Sequence, residues 1–217
     1  MASEQEINAA LDGIISTRRS IRRFKPDGLA KEAVENIIKA GFAAPFARAT
    51  DLSLARMRKF VAVKKGSDAH VRLKNMIISN AAENLKKLKL ASLFSPKLRK
   101  KAALLMERLT RVSEKGLPSM ETAPYFIVIA ERKGMPASQK QSMSYAMENM
   151  WLKATAMGLG FQLISAVGML SGNRDFMRVL GLDDGEYEID ACVIGYPDET
   201  PAKRDEVDIG EYTKWLE

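Results

Sequence analysis

One cysteine and one histidine in 217 residues exclude more chemistry than any other feature of this sequence. A lone Cys192 cannot close an intramolecular disulfide. It lies in the apolar run Ile189-Asp190-Ala191-Cys192-Val193-Ile194, so it reads as a buried structural thiol rather than a nucleophile. His70 falls between Asp68-Ala69 and Val71-Arg72, where a surface position is the default. With no second histidine, a histidine-rich metal site and a serine–histidine triad both fall away. The sequence shows no signal peptide and no apolar run long enough to cross a bilayer, which points to a reducing, cytoplasmic location. It also lacks a dinucleotide fingerprint. Gly158-x-Gly160 has no strand before it and no third glycine at the required spacing, so no dedicated Rossmann site for NAD is expected.

What is present is enough for a substantial core. At 24.1 kDa and 46% hydrophobic residues, the chain suits one domain over 1–217 better than two. The net charge of +7 is local: Lys86 to Arg111 holds nine Lys or Arg against a single acid, Glu107. A nucleic-acid or membrane-surface patch is one reading of that excess. The other is a helix with a solvated basic face, because Leu98, Ala102, Leu105, Leu109 and Val112 follow steps of four and three. The second reading is preferred, and neither a nucleic-acid nor a membrane partner is expected.

Along the chain, Ser3 with Glu6 makes a capping box for a helix ending near Ser16, with Ile7, Ala10, Leu11, Ile14 and Ile15 on one face. Val34, Ile37, Ile38 and Gly41 predict a second helix stopped by Pro45. Lys59–Val63 reads as a strand, followed by helices over Val71–Leu90 and Pro96–Val112. Tyr125-Phe126-Ile127-Val128-Ile129-Ala130 is the clearest strand, apolar enough to be buried on both faces. Met143, Met147, Met150 and Met157 lie at helical spacing in a long helix over Ser138–Met157, and these methionines are core candidates. Phe161–Val167 predicts another strand, Ser171-Gly172-Asn173 opens a short helix stopped by Gly181, and Tyr187–Gly195 is the last strand.

The segment Thr17-Arg18-Arg19-Ser20-Ile21-Arg22-Arg23-Phe24 packs four arginines and a serine hydroxyl into eight residues. Guanidinium forks and a hydroxyl suit a doubly charged phosphate. In an extended segment Arg18, Ser20 and Arg22 would face one way and Ile21 the other. A solvated basic turn remains the alternative.

This segment resembles the opening motif of the nitroreductase family of FMN-dependent oxidoreductases. Four further pieces stand in the family's order: Ala43-Ala44-Pro45 ending a helix, Ala123-Pro124-Tyr125 entering a strand, Met157-Gly158-Leu159-Gly160-Phe161 after a long helix, and Gly195-Tyr196-Pro197 before a basic tail. The resemblance implies an α+β, three-layer α/β/α fold, with a central mostly antiparallel mixed sheet flanked by helices in a domain-swapped homodimer. It implies FMN as cofactor and NAD(P)H as electron donor. The acceptor would be a small nitroaromatic, quinone-like or other electron-poor molecule, reduced by a ping-pong mechanism.

Under the resemblance no side chain is catalytic, since the flavin carries the chemistry, and no metal takes part. Cofactor-binding positions would be Arg18, Arg19, Ser20 and Arg22 toward the phosphate, with Arg22 also a cation able to stabilise charge at N1 and the C2 carbonyl. Pro45, Phe46 and Ala47 would lie by the ring, Ser165 and Ala166 beside N5, and Lys203 and Arg204 would return to the phosphate. A variable helical segment at about 66–118 would cover the substrate side, and an arm at about 198–217 would wrap the partner subunit. One loop departs from the family pattern: Phe46-Ala47-Arg48-Ala49-Thr50-Asp51-Leu52-Ser53 lacks the expected serine, asparagine and Gln-Pro-Trp sequence. That departure motivates an alternative, a non-catalytic FMN- or phosphate-ligand-binding protein of the same fold.

Overall fold

A computed structural model describes residues 2–46, 53–205 and 207–216. Its centre is β2 (Tyr125–Arg132), buried from Phe126 through Glu131. Period-2 alternation sends Phe126, Val128 and Ala130 into one core and Ile127 and Ile129 into another, so the run is apolar on both faces. On one side β2 pairs with β1 (Arg58–Lys64) and on the other with β4 (Tyr187–Gly195), beyond which lies β3 (Gly160–Leu163). The order is β1-β2-β4-β3 and every pairing among these four strands is antiparallel. The mixed character expected of the sheet reduces to one isolated parallel bridge, Ser20 to Phe161.

Helices cover both faces. On one, α2 (Lys31–Phe42) and α7 (Gln139–Ala156) bring Val34, Ile37, Met143, Ala146, Met147 and Met150 onto Ile127, Ile129, Cys192 and Ile194. On the other, α4 (Asp68–Leu93) supplies Leu73 and Ile77, and α8 (Arg174–Val179) supplies Phe176 and Met177. The methionines of α7 are core, as their spacing predicts. At the N-terminus, α1 (Glu4–Thr17) begins with the predicted box: the Ser3 N–H donates to Glu6 Oε2 at 2.7 Å and the Glu6 N–H to Ser3 Oγ at 3.3 Å. Its apolar face is only partly covered: α1 touches α7 and Ile14 is half-buried, but Ile7, Leu11 and Ile15 are exposed and no residue of α1 is buried.

The short α3 (Leu54–Met57) leads into β1, and α6 (Pro118–Thr122) precedes β2. α5 (Pro96–Lys115) folds back along α4, started by Pro96 and by Ser95 Oγ accepting from the Leu98 N–H at 3.2 Å. Among the described residues no helix is long and apolar enough to cross a membrane.

Two expectations are corrected. His70 is buried rather than at the surface, with Nε2 3.0 Å from the Met120 carbonyl oxygen, and burial is the main cause lowering its pKa. The strand predicted over Phe161–Val167 ends at Leu163, where the chain turns into a 3-10 helix, Ser165–Leu170. Ile164, Val167 and Leu170 are all buried, and their spacing of three is the 3-10 period. Cys192 meets its expectation: it is fully buried, and burial, then the Asp190 charge, hold its thiol well above the ordinary range.

Gly195 shows how tightly the end of β4 is packed. A Cβ there would sit 2.4 Å from Pro124 Cδ and 3.1 Å from Phe24 Cδ1. Gly195→Ala is therefore expected to destabilise the fold by about 1–3 kcal/mol through overpacking. Thermal unfolding checks this, and an unchanged midpoint would show that the proline ring can move aside.

Candidate functional site

The arginine segment is held on the edge of the sheet. Beside the Ser20–Phe161 bridge, the Ile21 N–H donates to the Phe161 carbonyl at 3.0 Å, and both Ile21 and Phe24 enter the core. Arg22 and Arg23 between them stay exposed. Ile21 thus points inward as alternation requires. The Arg18 guanidinium, however, lies 4.3 Å over the Trp151 ring and its Nε stands 3.1 Å from Glu148 Oε1. Trp151 in turn stacks on Phe161 with centroids 5.1 Å apart, and its Nε1–H donates to the Arg19 carbonyl at 3.3 Å. Glu148 and Trp151 are neighbours on one face of α7, three residues apart. Arg18 thereby ties the segment to α7.

A cleft of about 330 Å³ opens beside it, lined by Arg19, Ser20, Arg22, Glu199, Pro201 and Ala202. The second wall comes from the chain after β4. Phe24 bridges Pro197, the Lys25 N–H donates to the Tyr196 carbonyl at 2.9 Å, and the Asp198 N–H donates to the Arg23 carbonyl at 3.0 Å. Arg204 Nη2 donates to the Arg18 carbonyl at 2.8 Å, so the tail returns to the arginine segment. The Glu199 carboxylate accepts the Arg22 backbone N–H and its other oxygen lies 3.8 Å from Arg23 Nε. One anionic group of the chain is already bound by this segment. Among the described residues only the Arg22 N–H and Arg23 hold that carboxylate, while the cleft lining itself, Arg19, Ser20 and Arg22, carries two guanidinium groups and a hydroxyl, donor types that suit a phosphate monoester.

Other predicted positions lie on separate elements. Ser165 and Ala166 are exposed at the first residues of the 3-10 helix, where N–H groups have no intrahelical partner. They follow Phe161 by four and five residues, about 13–17 Å if the chain stayed extended. Pro45 and Phe46 follow α2, Lys203 is exposed on the tail, and Ala47 lies outside the described residues. Of the predicted set, the structure brings Arg19, Ser20 and Arg22 to the cleft, while Arg18, Pro45, Phe46, Ser165, Ala166, Lys203 and Arg204 are not in its lining.

Sequence reasoning missed a charged pair that fixes the approach to Pro45 and Phe46. Arg58 and Glu131 are fully buried, Nε to Oε1 2.6 Å, at directly paired positions of β1 and β2. Arg58 Nη1 donates to the Gly41 carbonyl at 2.7 Å and the Ala44 carbonyl at 3.2 Å. Its Nη2 donates to the Pro45 carbonyl and to Ser142 Oγ, and the guanidinium lies 6.0 Å from the centre of the Phe46 ring. One side chain so collects carbonyls at and just beyond the end of α2, of which that of Gly41 also accepts the Ala44 N–H at 3.3 Å. The only local signal was a glutamate directly after the uncharged run Tyr125 to Ala130. Glu148 and Glu199 were likewise missed.

Comparison with known proteins gives these elements a context. The family model described as the Nitroreductase family matches residues 15–196. No curated protein matches the chain. Among solved structures, a BluB-like flavoprotein from Clostridium difficile 630 is 20% identical with a TM-score of 0.72, covering 95% of this chain and 99% of its own. A nitroreductase with bound FMN from Bacteroides fragilis NCTC 9343 is 18% identical, TM-score 0.69, with 95% and 98% covered. A nitroreductase with bound FMN from Desulfitobacterium hafniense DCB-2 is 19% identical, TM-score 0.68, with 96% and 98% covered. At such identities the structures speak for the fold, whereas the sequence match runs from just before the arginine segment to the end of β4, and by it this chain belongs to the Nitroreductase family.

Proposed function

We propose that the protein is an FMN-dependent oxidoreductase that draws hydride from NAD(P)H and reduces a small nitroaromatic, quinone-like or other electron-poor acceptor. The observation that carries this reading is the cleft at the arginine segment, where Arg19, Ser20 and Arg22 converge and an anionic group, the Glu199 carboxylate, is already held. FMN, when bound, supplies the hydride chemistry. The chain's own residues bind and orient it. Arg19, Ser20 and Arg22 hold the phosphate in place of Glu199, the backbone N–H groups at Ser165 and Ala166 meet the ring edge, and Lys203 and Arg204 add positive charge from the tail. Arg18 acts through the segment's backbone, which it fixes against α7.

The working unit on this reading is a homodimer in one domain, 1–217. Its support is apolar surface that the single chain leaves open: Ile7, Leu11 and Ile15 on α1, and Ile209, Tyr212, Trp215 and Leu216 on the tail. The arm at about 198–217 reaches across the partner, and the helical segment at about 66–118 covers the acceptor side of the flavin.

Purified protein should show flavin absorbance that NADH or NADPH bleaches without oxygen. Donor and acceptor sharing one site in turn should give parallel initial-rate plots. Arg22→Ala should weaken FMN binding by about 1.5–3 kcal/mol, the range for a charged hydrogen bond. Colourless protein that takes up no FMN would sink the proposal. Bound flavin that neither nucleotide reduces would identify the non-catalytic alternative, which the departure at Phe46 to Ser53 motivates.

A further inference from the structure

We propose that the tip of the α4–α5 hairpin docks on an anionic lipid surface, with Leu90, Leu93 and Phe94 entering the headgroup region and the basic residues around them contacting lipid phosphates. This is independent of the flavin reading and departs from the expectation of no membrane partner. The last turns of α4 project. Its residues Leu73, Ile77, Ala81 and Leu85 are buried at core spacing, but beyond Leu85 only Ser92 is buried. At the end stand Leu90, Leu93 and Phe94, exposed by 61%, 75% and 84%. A phenylalanine left that open is an apolar anchor with no site among the described residues of its own chain.

The charge around this tip has one sign. All nine Lys and Arg between Lys86 and Arg111 are exposed. Among the described residues only one of them has an ion pair, Arg111 with Glu107 at 2.9 Å, and it is the one farthest along α5 from the tip. Lys86, Lys87 and Lys89 precede Phe94 by at most eight residues, and Lys97, Arg99, Lys100 and Lys101 follow it by at most seven. At a helical rise of about 1.5 Å per residue they lie within about 12 Å of it along the helix axes. Such a ring around an apolar point is the arrangement of an interfacial anchor, which lies on a bilayer and does not span it.

Other occupants fit less well. A second copy meeting tip to tip would set these cations against the same cations. A nucleic acid would satisfy the charge but leave Leu90 and Leu93 in water, and one phenylalanine is a poor stacking platform. Phospholipid offers phosphate and hydrocarbon together.

The full-length protein is floated with vesicles of equimolar phosphatidylcholine and phosphatidylglycerol, and with vesicles of phosphatidylcholine alone. Binding to the first and not the second is expected, weakening as salt rises. Leu93→Ser with Phe94→Ser should cut partitioning at least about tenfold. Lys100→Ala with Lys101→Ala should cut it by about 25-fold, near fivefold for each cation beside an anionic surface. All four positions are exposed, and unchanged melting would show that the variants fold. The comparison of lipids on unaltered protein decides the charge requirement without any variant. Equal flotation with both vesicles, no flotation with either, or undiminished binding by the Leu93→Ser, Phe94→Ser variant would overturn the proposal. Retention of duplex DNA in place of vesicles would make the patch a nucleic-acid surface. A fall in mass by light scattering for the apolar variant would make it a contact between copies.

Discussion

Arg58→Ala is expected to cost about 3–5 kcal/mol of stability, the range for removing one partner of a buried ion pair. The substitution strands the Glu131 carboxylate in a fully buried position without its guanidinium, and withdraws donors from the Gly41 and Ala44 carbonyls. For a chain of this size each kcal/mol lowers the melting midpoint by about 2–4 °C, so a fall of about 6–20 °C should appear in thermal unfolding. Arg58→Met combined with Glu131→Leu should recover most of the loss, because well-packed apolar replacements of a buried pair are often close to neutral. A single variant that loses less than about 1 kcal/mol would mean that water reaches the pair. On the proposed function the double variant carries a second expectation. It keeps the fold but frees the backbone at Ala44 and Pro45, so flavin affinity should fall even where stability does not.

Deleting the chain from Asp198 onward is expected to release monomer and flavin together. The segment removed includes Glu199 and Arg204, which contact the arginine segment, and the exposed apolar residues Ile209, Tyr212, Trp215 and Leu216. Loss of the Arg204 side chain alone should weaken a nearby phosphate by about 1.5–3 kcal/mol if it donates a charged hydrogen bond there. Light scattering reports the mass, and absorbance after gel filtration reports the flavin. A stable monomer that retains flavin would contradict the shared site, and a flavin-loaded dimer would place the interface elsewhere, on the apolar face of α1.

Much of the scaffold was legible because it is local. The run from Tyr125 to Ala130 announced a strand buried on both sides, and Met143, Met147 and Met150 announced the face α7 turns to it. Ser3 with Glu6 and Asn173 before Arg174 marked helix starts, and each side chain caps as its type allows. The arginine segment was legible as a candidate anion site for the same reason, since four arginines in eight residues declare themselves without any partner.

The site's second half was not legible. Glu199 meets Arg22 across 177 positions and Arg58 meets Glu131 across 73, distances over which no periodicity operates. Only the register of β1 on β2 sets Arg58 opposite Glu131, and only the return of the tail past Phe24 sets Glu199 on Arg22. His70 was misjudged similarly: flanking residues said surface, while the Met120 carbonyl that meets its ring comes from another helix.

The sequence by itself therefore determined most of the elements, the two-faced core of the sheet and a segment dense in arginine, because side-chain period and local charge act within a few residues. Tertiary structure alone decided which arginines open on the cleft. Arg18 was as good a candidate as Arg22 until α7 placed Glu148 and Trp151 beneath it. The hairpin shows the same division. Steps of four and three predicted a buried stripe on α5, of which Ala102 alone is buried and Leu105 is exposed; packing settled that, and also that the core ends near Leu85 and leaves Leu93 and Phe94 in solvent. Burial depends on where neighbouring elements stop, and nothing within a helix's own residues records that.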